Sequence, residues 1–405
     1  MKTFNIKLWG PIYVGLFLIS MGLSWAFFSR GGTSNIVIPQ DQTQLEGIRS
    51  RLSDLPKTEV CPINGGMFTT VERGIWESRR PLAVIIENHH DSRPPSGMSK
   101  SDVTYEFVAE GGVTRFLNIF YCGVASGDVQ LAPIRSLRMH FLKMAAEYGD
   151  KPILVHIGGA NNLCKDCPGG VKPAGTVAKE VMALEETSKM GWRVAKGNDF
   201  DTTYDSGFPT FWRNYDRLDH EVATEHTMMS STDKLYEQAE KRGFNASDSE
   251  GTAWNENFVL WKFADDNAAS SPDARKISFE FWSNKPEYDV SWEYDQANNR
   301  YLRSNGGAPH TDLEFENAQI DAKNVVVMFV KERGPVDREL HMYYEVYGTG
   351  DAIIFQNGTR IDGTWSKKTM YDRTKFMDED GKEISFVRGR IFVEGLPIGN
   401  DVIVE

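Results

Sequence analysis

The sequence predicts an α+β or α/β protein in three parts: an N-terminal transmembrane helix, a mixed α/β N-terminal domain and a mostly antiparallel all-β C-terminal domain. A charge-free run from Leu8 to Phe28 precedes a polar body. Between residues 75 and 245, apolar runs of strand length alternate with helical patterns. From Ile277 onward the chain breaks into short β-rich segments punctuated by Asn-Gly and Asp-Gly pairs.

At about 1.5 Å rise per residue the run from Leu8 to Phe28 spans about 31 Å as a helix, matching a hydrocarbon core of roughly 30 Å. Lys2 and Lys7 before it and Arg30 after it favour a cytoplasmic N-terminus. The protein is then single-pass in the cell membrane, with its bulk extracytoplasmic. A cleaved signal peptide is the competing reading, since Ser24 and Ala26 put small residues near a junction. Residues 1–30 form the anchor in the first reading. Residues 31–74, with one short amphipathic stretch ending at Leu55, form a stalk.

The mixed domain, 75–245, begins with a buried strand, Leu82 to Ile86, running into the breaker-rich NHHDSRPPSG. Val103 to Ala109 and Val113 to Tyr121 flank Glu110-Gly111-Gly112, which reads as a hairpin, although a helix also aligns Asp102, Glu106 and Glu110. With 110 opposite 113, regular pairing sets 108 against 115 and 106 against 117. Glu106, Glu110 and Arg115 then share one face. A helix follows from Leu137 to Tyr148, stopped at Gly149, with Arg135 and Arg138 at its N-terminus. Pro152 to Ile157 is a strand, 169–217 is loop-rich and aromatic, and Ser231 to Arg242 is a helix with a partial cap. A polar linker, 246–273, leads to the β domain, 274–405.

A body of this length, with 40% hydrophobic and 12% aromatic residues, suffices for about two ordinary domains. A formal charge of -12 excludes nucleic acid and anionic membrane surfaces as general partners, so any anion site is local. Cys61, Cys122, Cys164 and Cys167 pair in one of three ways in an oxidising compartment, with Cys164-Lys-Asp-Cys167 the obvious local pair. Zinc is the alternative, but only one CxxC is present.

The runs Arg80 to His89, Arg93 to Ser99, Asp102 to Glu106, Glu110 to Phe116 and Pro133 to Arg138 resemble the YerB-like lipoproteins, a bacterial family of unknown function. So do Trp292 to Asp295, Tyr301 to Gly306, His310 to Asp312, Asn324 to Val327 and the glycine-marked stretch from Gly348 to Trp365. The resemblance spans about residues 75–405 and implies an N-terminal mixed domain followed by a β domain. Two departures stand out. The first cysteine, Cys61, lies well past Phe28, so the helix rather than a lipid is the expected anchor. The family's Pro-His-Asn element is Glu225-His226-Thr227 here.

Arg135 and Arg138 are the leading ligand-binding candidates, because planar guanidinium forks beside free helix N–H groups suit phosphate or carboxylate. Arg115, Asp102, His89 and Arg93 complete that set. Glu106, Glu110 and His226 are the candidate acid/base residues. A purely structural network among the same charges is the competing reading. His89-His90-Asp91 offers metal-ligand types, but adjacent histidines on an extended segment point apart, so no metal is expected there. His156 reads as a core histidine, and His310 with Asp312 as a local pair. The aromatic residues near 192–215 and 281–301 read mainly as core. No G-x-S-x-G, Walker A, H-E-x-x-H or EF-hand pattern is present, and no cofactor is indicated. The expectation is an envelope protein holding an anionic ligand such as a phosphorylated compound or cell-wall glycan. An envelope phosphotransferase or hydrolase acting on cell-wall precursors and a non-catalytic scaffold are the alternatives, and the sequence specifies no protein partner.

Overall fold

A computed structural model describes residues 49, 52, 55–167, 170, 172 and 175–405. The helix expected from Leu8 to Phe28, and the stalk up to residue 48, lie outside the described residues. Among the described residues no helix is long and apolar enough to cross a membrane.

The strands that organise the molecule are β1 (Leu82–Glu87), β2 (Val103–Glu110), β3 (Val113–Phe120), β4 (Ile153–His156) and β5 (Asp199–Asp201). They continue with β6 (Lys276–Phe279), β7 (Val290–Asp295), β8 (Arg300–Asn305), β9 (Asn324–Arg333) and β10 (Gly348–Gln356). The last are β11 (Thr359–Lys367), β12 (Lys375–Asp378), β13 (Ile391–Pro397) and β14 (Val402–Val404). One sheet runs β12-β11-β10-β9-β13-β2-β3-β1-β4-β5, with Tyr343–Glu345 added to β9. It draws strands from both ends of the chain. They join where β13 lies parallel to β2, Ile391 opposite Val103 and Glu394 opposite Glu106. β1 is buried along its whole length, as a strand covered on both faces must be. A second, mainly antiparallel sheet carries β8-β7-β6-β14. It packs on the first through Trp292, whose ring meets Phe392 edge-on at 5.0 Å.

Turn chemistry accounts for the hairpins. Gly111 and Gly112 take φ of 54° and 84°, and Asn357 and Gly358 take 58° and 76°, the paired left-handed conformations of a tight two-residue turn. The first hairpin departs from regular pairing in one respect. Glu110 opposes Val113, but Val108 opposes Thr114, so Ala109 is a bulge. Phe107 therefore faces Arg115 and Glu106 faces Phe116. One extra residue moves Glu106 to the opposite face from Glu110 and Arg115, correcting the expected shared face.

The helices are α1 (Thr70–Glu77), α2 (Met139–Ala145), α3 (Ala183–Lys189) and α4 (Thr232–Lys241). A capping box between Thr69 and Glu72 starts α1. This helix falls partly within the expected stalk, yet Trp76 is buried against Phe68 and Tyr121. The Cys61–Cys122 disulfide ties the same stretch to the end of the hairpin, and Cys164 pairs with Cys167. α2 starts at Met139, later than expected, because Ile134 and Leu137 bridge to Ile86 and Gly159 as extended chain. α3 lies within the stretch expected to be loop. Of the aromatic residues there, Trp192 and Phe211 are buried, whereas Tyr204, Phe208 and Tyr215 are exposed. Ser231 caps α4 as expected.

Below the sheet, Glu147 accepts from Lys367 Nζ at 2.8 Å and Arg373 at 2.7 Å, and from the Thr374 N–H and hydroxyl. Burial pushes the Glu147 carboxyl upward, but Lys367 and Arg373 outweigh it and hold the group at about 2.

Candidate functional site

β1 ends in Glu87, directly opposite Arg115 on β3. The Glu87 carboxylate accepts from Arg135 Nε at 2.8 Å with one oxygen and lies 2.7 Å from His226 Nδ1 with the other. Arg135 reaches it from an extended segment whose backbone N–H bonds to Ile85, not from a helix N-terminus. The His226 ring stacks on His89 at 4.9 Å, and His89 stacks on His90 at 4.5 Å. Glu87 is thus a buried hinge that orients a guanidinium and an imidazole together. It was absent from the sequence-based candidates. Its only sequence signal is an acid closing an apolar strand.

Beside it, Glu110 holds two arginines. One oxygen pairs with Arg115, and the other lies 2.9 Å from Arg138 Nε and 2.7 Å from its Nη2. Burial pushes the Glu110 carboxyl up, but Arg115 and Arg138 hold it down at about 2. Burial and Arg138 draw the Arg115 guanidinium down to about 9, and its Nε has no hydrogen-bond partner among the described residues. Three arginines face two carboxylates here, and Asp91 beside His90 and the exposed Glu225 beside His226 add two more acids, with Arg135 23% exposed and the Glu110 side chain 26% exposed.

His89, His90 and Asp91 behave differently from expectation. Residues 90–92 form a 3-10 turn rather than an extended segment, which curls the two imidazoles onto each other. His90 Nε2 lies 3.0 Å and His89 Nδ1 3.7 Å from the Asp91 carboxylate. One ligand atom from each of the three lies within 4.8 Å of the others, although His89 Nδ1 already accepts the Asp91 N–H. Burial, and the neighbouring His90, lower the His89 imidazole, favouring the neutral form that ligates metals.

The remaining candidates lie elsewhere. Glu106 is wholly buried on the far face, paired with Arg303 and accepting from Asn88 at 3.0 Å and Thr114 at 2.6 Å. Arg303 also lies 3.6 Å from Glu394 and over the rings of Phe116, Trp292 and Phe392. Burial and the Glu106 charge raise the Glu394 carboxyl well above its usual range. Arg93 binds the Asn88 side chain and the Glu287 carbonyl, so it locks two loops together. Asp102 stands at the opposite end of β2 from Glu110, about 26 Å away at roughly 3.3 Å per residue. There it accepts N–H bonds from Tyr121, Cys122, Gly123 and Asn64. His156 is buried between Asp199 and the Gly158 carbonyl, as expected of a core histidine. His310 and Asp312 do not pair. His310 contacts Arg303, and Asp312 accepts the N–H groups of Gly97 and Ser99.

Fold and site together define a mixed α/β and β protein with a charged arginine and histidine rim at one sheet end. Residues 68–245 match the model "Protein of unknown function (DUF3048) N-terminal domain", and residues 277–393 match its C-terminal counterpart. The chain belongs to this YerB-like family. It is 26% identical over 350 residues to "Putative lipoprotein YerB" of Bacillus subtilis (strain 168), covering 86% of this chain and 89% of that protein. The crystal structure of YerB from Bacillus subtilis superposes with a TM-score of 0.64 at 22% identity, covering 85% of this chain and all of that one. The likeness establishes a shared fold.

Proposed function

We propose that the protein is an extracytoplasmic envelope protein, tethered by the segment from Leu8 to Phe28, that binds an oxyanionic ligand at the Arg135, His226 and His89 rim. The tether reading rests on the length and charge flanks of that segment. Two disulfides fit an oxidising compartment, and the lipoprotein description of the relative agrees with an envelope location. The observation that carries the ligand reading is Glu87, which holds Arg135 and His226 from beneath while Arg135 and His89 stay partly exposed. A planar guanidinium beside imidazoles is a recognition surface for phosphate or carboxylate groups. Wall-glycan phosphates are the ligand class an envelope location makes available. The test is thermal melting of the protein against phosphate, pyrophosphate and phosphorylated wall-glycan fragments. A stabilisation by one of these that Arg135→Ala removes supports the reading; a panel with no shift overturns it. Ligand at 100 times its dissociation constant adds about 2.7 kcal/mol, enough to read as a shifted midpoint.

A further inference from the structure

At the opposite end of β2, a cavity of about 410 Å³ is lined by Arg390, Asp102, Asp321, Ser99 and Lys100, with Lys57 also on its wall. The topology builds it. β13 and β2 run parallel with Ile391 opposite Val103, so Arg390 and Asp102, the residues preceding these two strands, come side by side. Arg390 is 8% exposed, and its Nε, Nη1 and Nη2 all lack a hydrogen-bond partner among the described residues. Its nearest acid, Asp321, is 3.6 Å away, beyond hydrogen-bond length. Ser99 Oγ is a second buried and unpartnered group on the same wall.

The acids around the cavity are already engaged. Asp102 is taken by three backbone N–H groups and the Asn64 amide. Asp321 is held by Arg300 at 2.6 Å. Glu72 is committed to the α1 capping box. Donors outnumber acceptors: a guanidinium with five N–H donors and a hydroxyl lack hydrogen bonds, and the nearest open acceptor, Asp321 Oδ1, lies 3.6 Å from Arg390 Nη1. Such a fork is matched by two oxygens of one oxyanion.

We propose that this cavity is a second ligand site, which takes the carboxylate or phosphate group of a small molecule on Arg390 with Ser99 completing its hydrogen bonds and Lys100 at the wall. It stands apart from the Arg135 rim and does not depend on it.

The experiment titrates inorganic phosphate and, separately, acetate into the full-length protein by calorimetry at constant ionic strength, with chloride as the control. Wild-type protein should bind one of the two oxyanions, and the Arg135→Ala/Arg138→Ala variant, which removes the rim, should keep the cavity's share of that binding and serve as the background for the changes at the cavity. Arg390→Lys, which keeps the charge but loses the fork, should weaken binding at least tenfold, and Ser99→Ala should weaken it severalfold. Arg390→Lys and Ser99→Ala serve in place of deletion of the buried guanidinium, whose loss could prevent folding. Whichever oxyanion binds names the ligand chemistry. Binding of neither oxyanion, as a cavity holding water alone would give, overturns the proposal. So does equal binding by Arg390→Lys. Loss of binding in the Arg135→Ala/Arg138→Ala variant alone also overturns it, and assigns the anion to the rim instead.

Discussion

Replacing Arg303 tests what Glu106 does. Arg303 and Glu106 are both fully buried, and Glu394, opposite Glu106 on the neighbouring strand, lies 3.6 Å from the guanidinium with its carboxyl pushed well above the usual range by burial and by Glu106. Arg303→Met keeps most of the side-chain volume but leaves Glu106 as an uncompensated buried charge, a cost of about 3–5 kcal/mol. Glu106→Gln is milder, about 1–2 kcal/mol, because Glu394, 3.6 Å from the guanidinium, remains to pair with Arg303. Glu394→Gln alone should cost under about 1 kcal/mol, since Gln keeps an oxygen to accept from Trp292 Nε1 and Glu106 still pairs with Arg303. The double variant Glu106→Gln/Glu394→Gln strips Arg303 of every counter-charge and should cost about 3–5 kcal/mol, more than its two single changes together. Urea denaturation at neutral pH, with unchanged slopes, reads all four values. An Arg303→Met cost below about 1 kcal/mol, or strict additivity of the glutamate pair, would refute a buried charge cluster.

Other consequences are accessible to the same methods. Glu147 titrates at about 2 in the folded protein against an unperturbed 4.5, so its contribution of about 3 kcal/mol is complete above pH 4.5 and disappears as pH falls towards 2. Lys367→Met should flatten that acid limb of a stability-against-pH curve, and an unchanged limb would remove Glu147 as its source. His140 is buried among Phe107, Phe141 and Tyr344, and neither ring nitrogen is bonded among the described residues. His140→Phe should therefore be neutral or stabilise by about 1 kcal/mol, and a loss above about 2 kcal/mol would mean that the imidazole has a partner. All four cysteines should resist alkylation in unreduced protein isolated from cells and become labelled after reduction, as mass spectrometry will show. Labelling without reductant would contradict the two disulfides.

The parts of this molecule governed by short-range rules were legible in the sequence. The β1 strand, the glycine-turned hairpin, α4 and the local cysteine pair follow from apolar runs, turn residues and spacing. The bulge at Ala109 was not legible, because alternation carries no mark of an inserted residue, and this one residue separated Glu106 from Glu110 and Arg115. The pairing of β13 with β2 joins residues almost 300 positions apart, and no local pattern encodes such a partner. Arg303 was recoverable in principle. In β8, Tyr301, Arg303 and Asn305 share the buried side, so strict alternation places this arginine inward. Arg390 and Glu87 have no such pattern, and only the folded sheet reveals what surrounds them.

Whether the rim organised by Glu87 holds an oxyanion is decided by a crystal structure of the protein soaked in pyrophosphate. Difference density is expected within hydrogen-bond distance of the Arg135 guanidinium and beside His89, lost in Arg135→Ala crystals. A rim free of density, at a concentration that fills the Arg390 cavity or saturates binding in solution, would contradict it.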